Sequence, residues 1–167
     1  MGMQIPAVEF QLLDKLDRVK VKECSRLMST SEPWITLKRT EGDILKIVED
    51  DDSEVYVAMS LNEIIGFAII KMRGAFVGYI QSIVIKSQYR GRGIGTGFVE
   101  FLERRILAEH PNVFICVSSF NHGAKRLYER LGYKTIGVLT DYIVSGQDEI
   151  LMRKNVAPLN DYFSERK

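Results

Sequence analysis

Ser87-Gln88-Tyr89-Arg90-Gly91-Arg92-Gly93-Ile94-Gly95-Thr96-Gly97 lies between a run with strand character and a run with helix character. Glycines at alternate positions, Gly91, Gly93, Gly95 and Gly97, leave the backbone N–H groups unscreened by side chains. A helix opening directly after them turns its positive dipole end into the same space. Bare main-chain donors at a helix entrance suit a phosphate or pyrophosphate.

Before the loop, residues 77–86 read as a strand. Val77, Tyr79, Gln81, Ile83 and Ile85 face one way and Ile80, Ser82 and Val84 the other, so both faces read as covered and the strand as central. After the loop, Ile94, Phe98, Leu102 and Ile106 recur every fourth residue, a helix stripe that His110-Pro111-Asn112 ends.

Working toward the N-terminus, residues 64–72 and 54–59 are strands about a turn at Ser60-Leu61-Asn62-Glu63. Thr40-Glu41-Gly42-Asp43 caps a short helix through Ile44, Ile47 and Val48. Ser31-Glu32-Pro33-Trp34 breaks an earlier helix over residues 14–28, whose predicted apolar side carries Leu16, Val19, Cys24 and Leu27; residues 7–12 supply a first strand. Toward the C-terminus, residues 113–117 form an apolar strand, and Asn121 caps a helix carrying Ala124, Leu127, Tyr128 and Leu131 that stops at Gly132. Strands over residues 133–139 and 149–154 close the fold around a loop at 141–147. The order β-α-α-β-β-β-α-β-α-β-β predicts an α/β (α+β) protein, a mixed and mostly antiparallel sheet of six to seven strands with helices on both faces.

With 167 residues, 46% hydrophobic and 27% charged, the chain has the size and composition of a single globular domain. A net charge of +1 gives no footing for nucleic acid or a membrane surface as partner. No apolar stretch approaches membrane-spanning length and no leader is evident, so a cytoplasmic protein is expected. Cys24 and Cys116, each in an apolar run, read as reduced buried thiols, and with His110 and His122 they show no zinc spacing; no metal is expected.

Three phosphate-binding designs compete for the glycine loop. A P-loop needs Gly-Lys-Ser/Thr, which does not occur, and Gly-x-Gly-x-x-Gly fails from Gly91 (Thr96 is sixth) and from Gly93 (Phe98 is sixth). The third, Gln/Arg-x-x-Gly-x-Gly/Ala, is met by Gln88-Tyr89-Arg90-Gly91-Arg92-Gly93.

This loop, the preceding Ile83-Val84-Ile85, and the later Asn121 to Tyr128 followed by Leu131-Gly132-Tyr133 resemble the GCN5-related N-acetyltransferases, nearest in flavour to their ribosomal-protein-alanine and peptide branch. The resemblance implies one N-acetyltransferase domain over residues 1–167, with a core at 7–155 and a polar tail at 157–167 that is either disordered or docked on a second subunit. It implies transfer of an acetyl group from acetyl-coenzyme A to a primary amine by direct attack in a ternary complex, a peptide or protein amine being preferred. The alternatives are a small-amine enzyme (polyamine or aminoglycoside) and a non-catalytic coenzyme A sensor.

By the same resemblance, the pantetheine arm pairs with the main chain at Ile83, Val84 and Ile85, and Gly91, Gly93, Ile94, Gly95 and Thr96 take the pyrophosphate. Arg90 and Arg92 either add charge there or are solvated loop cations. Tyr128 is the implied general acid to the sulfur, and Asn121 contacts the cofactor as well as capping its helix. Trp34 and Tyr142 line the acceptor site, or each is ordinary packing. The peptide branch carries a glutamate where Cys116 stands here, and a thiol of ordinary pKa ~8.5 in an apolar run is a poor base. Ser118 lacks an evident partner, and Glu149, Asp148 and Glu49 read equally as exposed carboxylates, so the base is unassigned. Either a monomer or a homodimer is compatible.

Overall fold

A computed structural model describes residues 7–166, so residues 1–6 and 167 of the expected domain lie outside the described residues. The chain forms two compact units, one holding residues up to Ile69 with Ser82–Val99, the other Ile70–Gln81 with residues from Glu100 onward.

The first unit contains β1 (Glu9–Leu12), α1 (Arg18–Ser29), α2 (Glu41–Glu49), β2 (Ser53–Ser60) and most of β3 (Glu63–Lys71). Asp17 caps α1, its carboxylate accepting from the Lys20 N–H at 3.1 Å. Starting at that cap puts Leu16 before the helix. The buried side is Val21, Cys24, Ser25 and Met28, at the i, i+3, i+4, i+7 spacing of one face. Leu16 and Val19, expected inside, are 86% and 77% exposed. At α2 the capping box is complete: Thr40 Oγ1 accepts from the Asp43 N–H at 3.1 Å and Asp43 Oδ2 from the Thr40 N–H at 3.0 Å. Ile44 and Val48 face inward, joining Val55, Val57, Ile64, Phe67 and Ile69 in one core. Each such fully buried side chain contributes about 1.5–3 kcal/mol. Leu61 and Asn62, both left-handed at φ 47° and 64°, make the tight β2–β3 turn.

The second unit is built on β5 (Asn112–Ser118), α4 (His122–Arg130), β6 (Lys134–Leu139), β7 (Glu149–Asn155) and α5 (Leu159–Ser164). β7 runs antiparallel to β5 along its whole length and to β6 on its other side. Three elements span the unit boundary, β3, β4 (Tyr79–Ile85) and α3 (Ile94–Leu107). The hydrogen-bonded strand order is β1-β2-β3-β4-β5-β7-β6, a seven-stranded, mostly antiparallel sheet in which β4 and β5 are parallel.

The predicted α3 stripe is borne out: Ile94, Phe98, Leu102 and Ile106 are all buried. The expectation for β4 holds on one face only. Ile80, Ser82 and Val84 are buried, whereas on the other face only Ile85 is buried and Tyr79, Gln81 and Ile83 remain half-buried. Apolar side chains alone did not distinguish a packed face from one left partly open.

The polar tail does not remain unstructured. It forms α5, with Tyr162 buried and donating through its hydroxyl to the Leu107 carbonyl at 2.7 Å.

Gly78 joins β3 to β4 at a point where no side chain fits. Its φ is +84°, and an added Cβ would sit 2.3 Å from the Asn112 carbonyl oxygen. Gly78→Ala is expected to lower unfolding stability by about 3 kcal/mol or more. Denaturant titration against wild type measures this.

Candidate functional site

The glycine loop follows β4 through a short 3-10 turn, Ser87–Tyr89. Gly91 and Gly93 are left-handed, with φ +70° and +79°, and nothing lies within 4 Å of where their Cβ atoms would be. Two reversals in three residues, with open space on the side-chain side, present the loop backbone outward. α3 begins at Ile94, and the first intrahelical bond runs from the Gly97 N–H to the Gly93 carbonyl at 3.0 Å. The Ile94, Gly95 and Thr96 N–H groups therefore lie in the first turn, where a helix offers no internal acceptor. Gly97 is not among the bare donors.

Arg90 is not a free loop cation. Its Nε donates to the Ile85 carbonyl at 2.8 Å, tying the loop back to the end of β4. Arg92 is exposed. In the same unit, Glu63 accepts from Lys86 Nζ at 2.9 Å and from the Tyr89 hydroxyl at 3.0 Å, bracing the strand end and the 3-10 turn. Ile83, Val84, Ile85 and the residues from Arg90 to Thr96 thus form one continuous segment. Trp34 shares this unit but packs against its hydrophobic core, alongside Leu27 and Leu45.

Asn121, Tyr128 and Tyr142 belong to the second unit. Asn121 Oδ1 accepts from the Ala124 N–H at 3.2 Å, the expected cap. Tyr128 is the buried residue of α4, 5% exposed, its ring 5.8 Å from that of Tyr133. Burial pushes its phenol well above the ordinary range, so it holds its proton at neutral pH.

An apolar cavity of about 200 Å³ in this unit is lined by Phe76, Tyr79, Cys116, Leu139, Tyr142 and Leu151. Tyr142 therefore does border a pocket, while itself 60% exposed. Phe76 leans edge-on against Phe114 at 5.2 Å. Burial holds both Cys116 and Tyr79 protonated.

Register places two polar residues on this same sheet face. Cys116 pairs with Leu151 and Ser118 with Glu149, two positions further along, while Leu139 pairs with Glu149 from the other side. Ser118 Oγ donates to Glu149 Oε1 at 2.6 Å. Glu149 is only 4% exposed, and burial raises its pKa although the Ser118 bond opposes the rise. The other carboxylates weighed as bases are otherwise engaged: Glu49 pairs with Arg18, and Asp148 accepts from the Asp141 N–H at 3.2 Å. Sequence reading missed the Ser118–Glu149 pair because its members lie 31 residues apart and only strand register joins them. The available signal was Glu149 opening a strand otherwise apolar through Ile150, Leu151 and Met152.

The family described as Acetyltransferase (GNAT) matches residues 21–133, and the chain belongs to it. An N-alpha-acetyltransferase of Sulfurisphaera tokodaii is 35% identical over 99 residues, covering 56% of this chain and 57% of that protein. The chain spans 56–64% of the length of three curated relatives that it matches. Among solved structures, an aminoglycoside 6'-N-acetyltransferase complexed with coenzyme A superposes with a TM-score of 0.74 at 19% identity, covering 90% of this chain and 98% of that one. The ribosomal-protein-S18-alanine N-acetyltransferase of Escherichia coli superposes at 0.71 and 16% identity, covering 91% and 96%. At these identities the two structures establish the fold, which agrees with the family match. Among the described residues, no helix is long and apolar enough to cross a membrane.

A carboxyl whose folded pKa is raised binds its proton more tightly in the native state, so its contribution to stability is full below the unfolded pKa of about 4.3 and is lost as pH rises through the folded value. Glu149→Gln is therefore expected to melt a few degrees above wild type at pH 7–8 and level with it near pH 4. Thermal scans across that range measure it.

Proposed function

We propose that this protein is an acetyl-coenzyme A-dependent N-acetyltransferase acting on a primary amine, with a peptide or protein α-amine as the preferred acceptor. The observation carrying the reading is the α3 entrance: two left-handed glycines over open space, followed by first-turn amides at Ile94, Gly95 and Thr96. That arrangement fits a diphosphate, and in this family a diphosphate is part of coenzyme A. The main chain at Ile83, Val84 and Ile85 is the proposed track for the pantetheine arm, with Arg90 as a strut holding the loop and Arg92 as the cation free to meet phosphate. The match to residues 21–133 runs through both units and supports reading the chain as one acetyltransferase domain. Two free thiols suit a reducing compartment such as the cytoplasm.

Acetyl transfer to an amine breaks a C–S bond and forms a C–N bond. The amine must first be neutral, and the departing sulfur must receive a proton. Tyr128, buried and fully protonated, is the proposed donor to that sulfur, and Asn121 holds the start of the helix that carries it. The preference for a peptide amine draws on the relatives named N-alpha-acetyltransferase and on the apolar cavity beside Tyr142.

Calorimetry with coenzyme A tests the carrying observation: wild type should bind saturably, and Gly93→Val, forcing a β-branched residue into a left-handed position, should weaken binding at least tenfold. No association at millimolar coenzyme A would overturn the assignment. Tyr128→Phe is expected to lower kcat by about 10²-fold or more with coenzyme A affinity unchanged, in a thiol-release assay. Unaltered turnover would remove Tyr128 from the chemistry.

A further inference from the structure

Glu149 is nearly excluded from water, yet among the described residues it pairs with Ser118 and with no cation. A buried carboxylate costs free energy unless something compensates it. Ser118 supplies one hydrogen bond, a donor of modest strength for a full charge. The titratable groups nearby are Cys116 on β5, Tyr79 on β4 and Tyr142 in the loop between β6 and β7; Cys116 and Tyr79 are kept neutral by burial. The site is thus a carboxylate beside the neutral Cys116 and Tyr79, with Asp148 preceding it in the chain, one strand repeat along the same sheet face from an apolar cavity.

The cavity's size limits what accompanies a cation. At about 200 Å³ it falls below the ~300–1,000 Å³ of sites that enclose a whole drug-sized ligand. It suits a single apolar side chain, walled by Leu139 and Leu151 and by the rings of Phe76, Tyr79 and Tyr142. Strand geometry separates i and i+2 on one face by roughly 7 Å, so Glu149 is the next residue along the same face from Leu151, which walls the cavity.

We infer that Glu149, oriented by Ser118, binds the ammonium of the acceptor and takes its proton, while the apolar cavity holds that acceptor's first side chain. This rests on the acetyltransferase reading and names the base and acceptor class within it: a peptide α-amine behind a large apolar first residue. One ammonium proton passes to the Glu149 carboxylate and on to water. The neutral nitrogen forms the C–N bond, the C–S bond breaks, and the sulfur leaves with the proton of Tyr128. The second proton lost by nitrogen restores Tyr128 through solvent, so each turnover releases one proton. Burial favours the protonated carboxyl, which strengthens it as an acceptor. An α-amine of pKa ~7.7–8.0 demands far less of such a base than a lysine at ~10.4.

The test is initial-rate kinetics across pH with tetrapeptides bearing a free α-amine and a leading leucine or glycine, with coenzyme A affinity measured in parallel. For wild type, kcat should fall on the acid side through an apparent pKa above the ordinary carboxylate range, and kcat/KM should favour the leucine peptide at least tenfold. Glu149→Gln should bind coenzyme A as wild type does, lose about 10²-fold in kcat and lose that acid limb; Glu149→Asp should recover part of the rate. Ser118→Ala should move the limb to higher pH, a readout that remains if the Glu149 variants fail to fold. A folded Glu149→Gln with wild-type kcat and pH profile, an unmoved limb in Ser118→Ala, or equal use of the two peptides would overturn this inference while leaving the transferase reading intact. Wild-type protein that binds no coenzyme A, or binds it and acetylates no amine, would instead overturn the transferase reading.

Discussion

The fold's most consequential constraint is the burial of Ile94. As the first residue of α3 it is 7% exposed, and Phe98 one turn later is fully buried with Phe10 stacked on it at 4.7 Å. Apolar burial thus fixes where the helix starts and how it is rotated. The backbone must then climb out of β4 and enter that helix within a few residues, which Gly91 and Gly93 permit by adopting a conformation other residues resist. The outward amides follow from this anchoring. A loop of the same composition without the anchor would have the same donors but no fixed direction for them.

The sheet face of the second unit shows a different principle. Its other side is packed with Ile80, Val113, Ile115, Val117 and Met152, all nearly or wholly buried. On the open side β5 carries Phe114, Cys116 and Ser118, a gradient from aromatic to polar along one strand. β7 mirrors it from Leu151 to Glu149. Beyond Phe114 and Leu151 the same face turns polar again at Arg153, Asn112 and Asn155, so its apolar patch is bounded by polar residues at both ends. Because both strands are held in continuous antiparallel register, this pattern does not depend on loops.

Much of this was legible in the sequence where local rules apply. The α3 stripe, the Thr40–Asp43 box, the Asn121 cap and the glycine loop depend on residues within a few positions of one another, and each stands where it was expected. The misreadings share one cause, that burial is decided by partners distant in sequence. Leu16 and Val19 look like core by hydrophobicity, but the Asp17 cap starts the helix so that Val21, Cys24 and Met28 face inward. Glu149 looks like a surface carboxylate until β5 and β7 pair and bring Ser118 against it. Arg90 was ambiguous because its acceptor is a main-chain carbonyl, which no residue pattern reveals.

The terminal segment gives α3 an electrical asymmetry. At the helix's far end, Tyr162 donates to the Leu107 carbonyl, Arg166 donates to that of Ala108, and the Arg166 guanidinium lies 4.4 Å over the Tyr162 ring. A cation there neutralises the negative pole of the macrodipole, while the positive pole beside Gly93 keeps its amides unquenched. Trimming the chain before residue 159 would leave the negative pole bare and the last turn free to fray. Arg166 thus supplies a counter-charge at the opposite end of a fourteen-residue helix from the glycine loop.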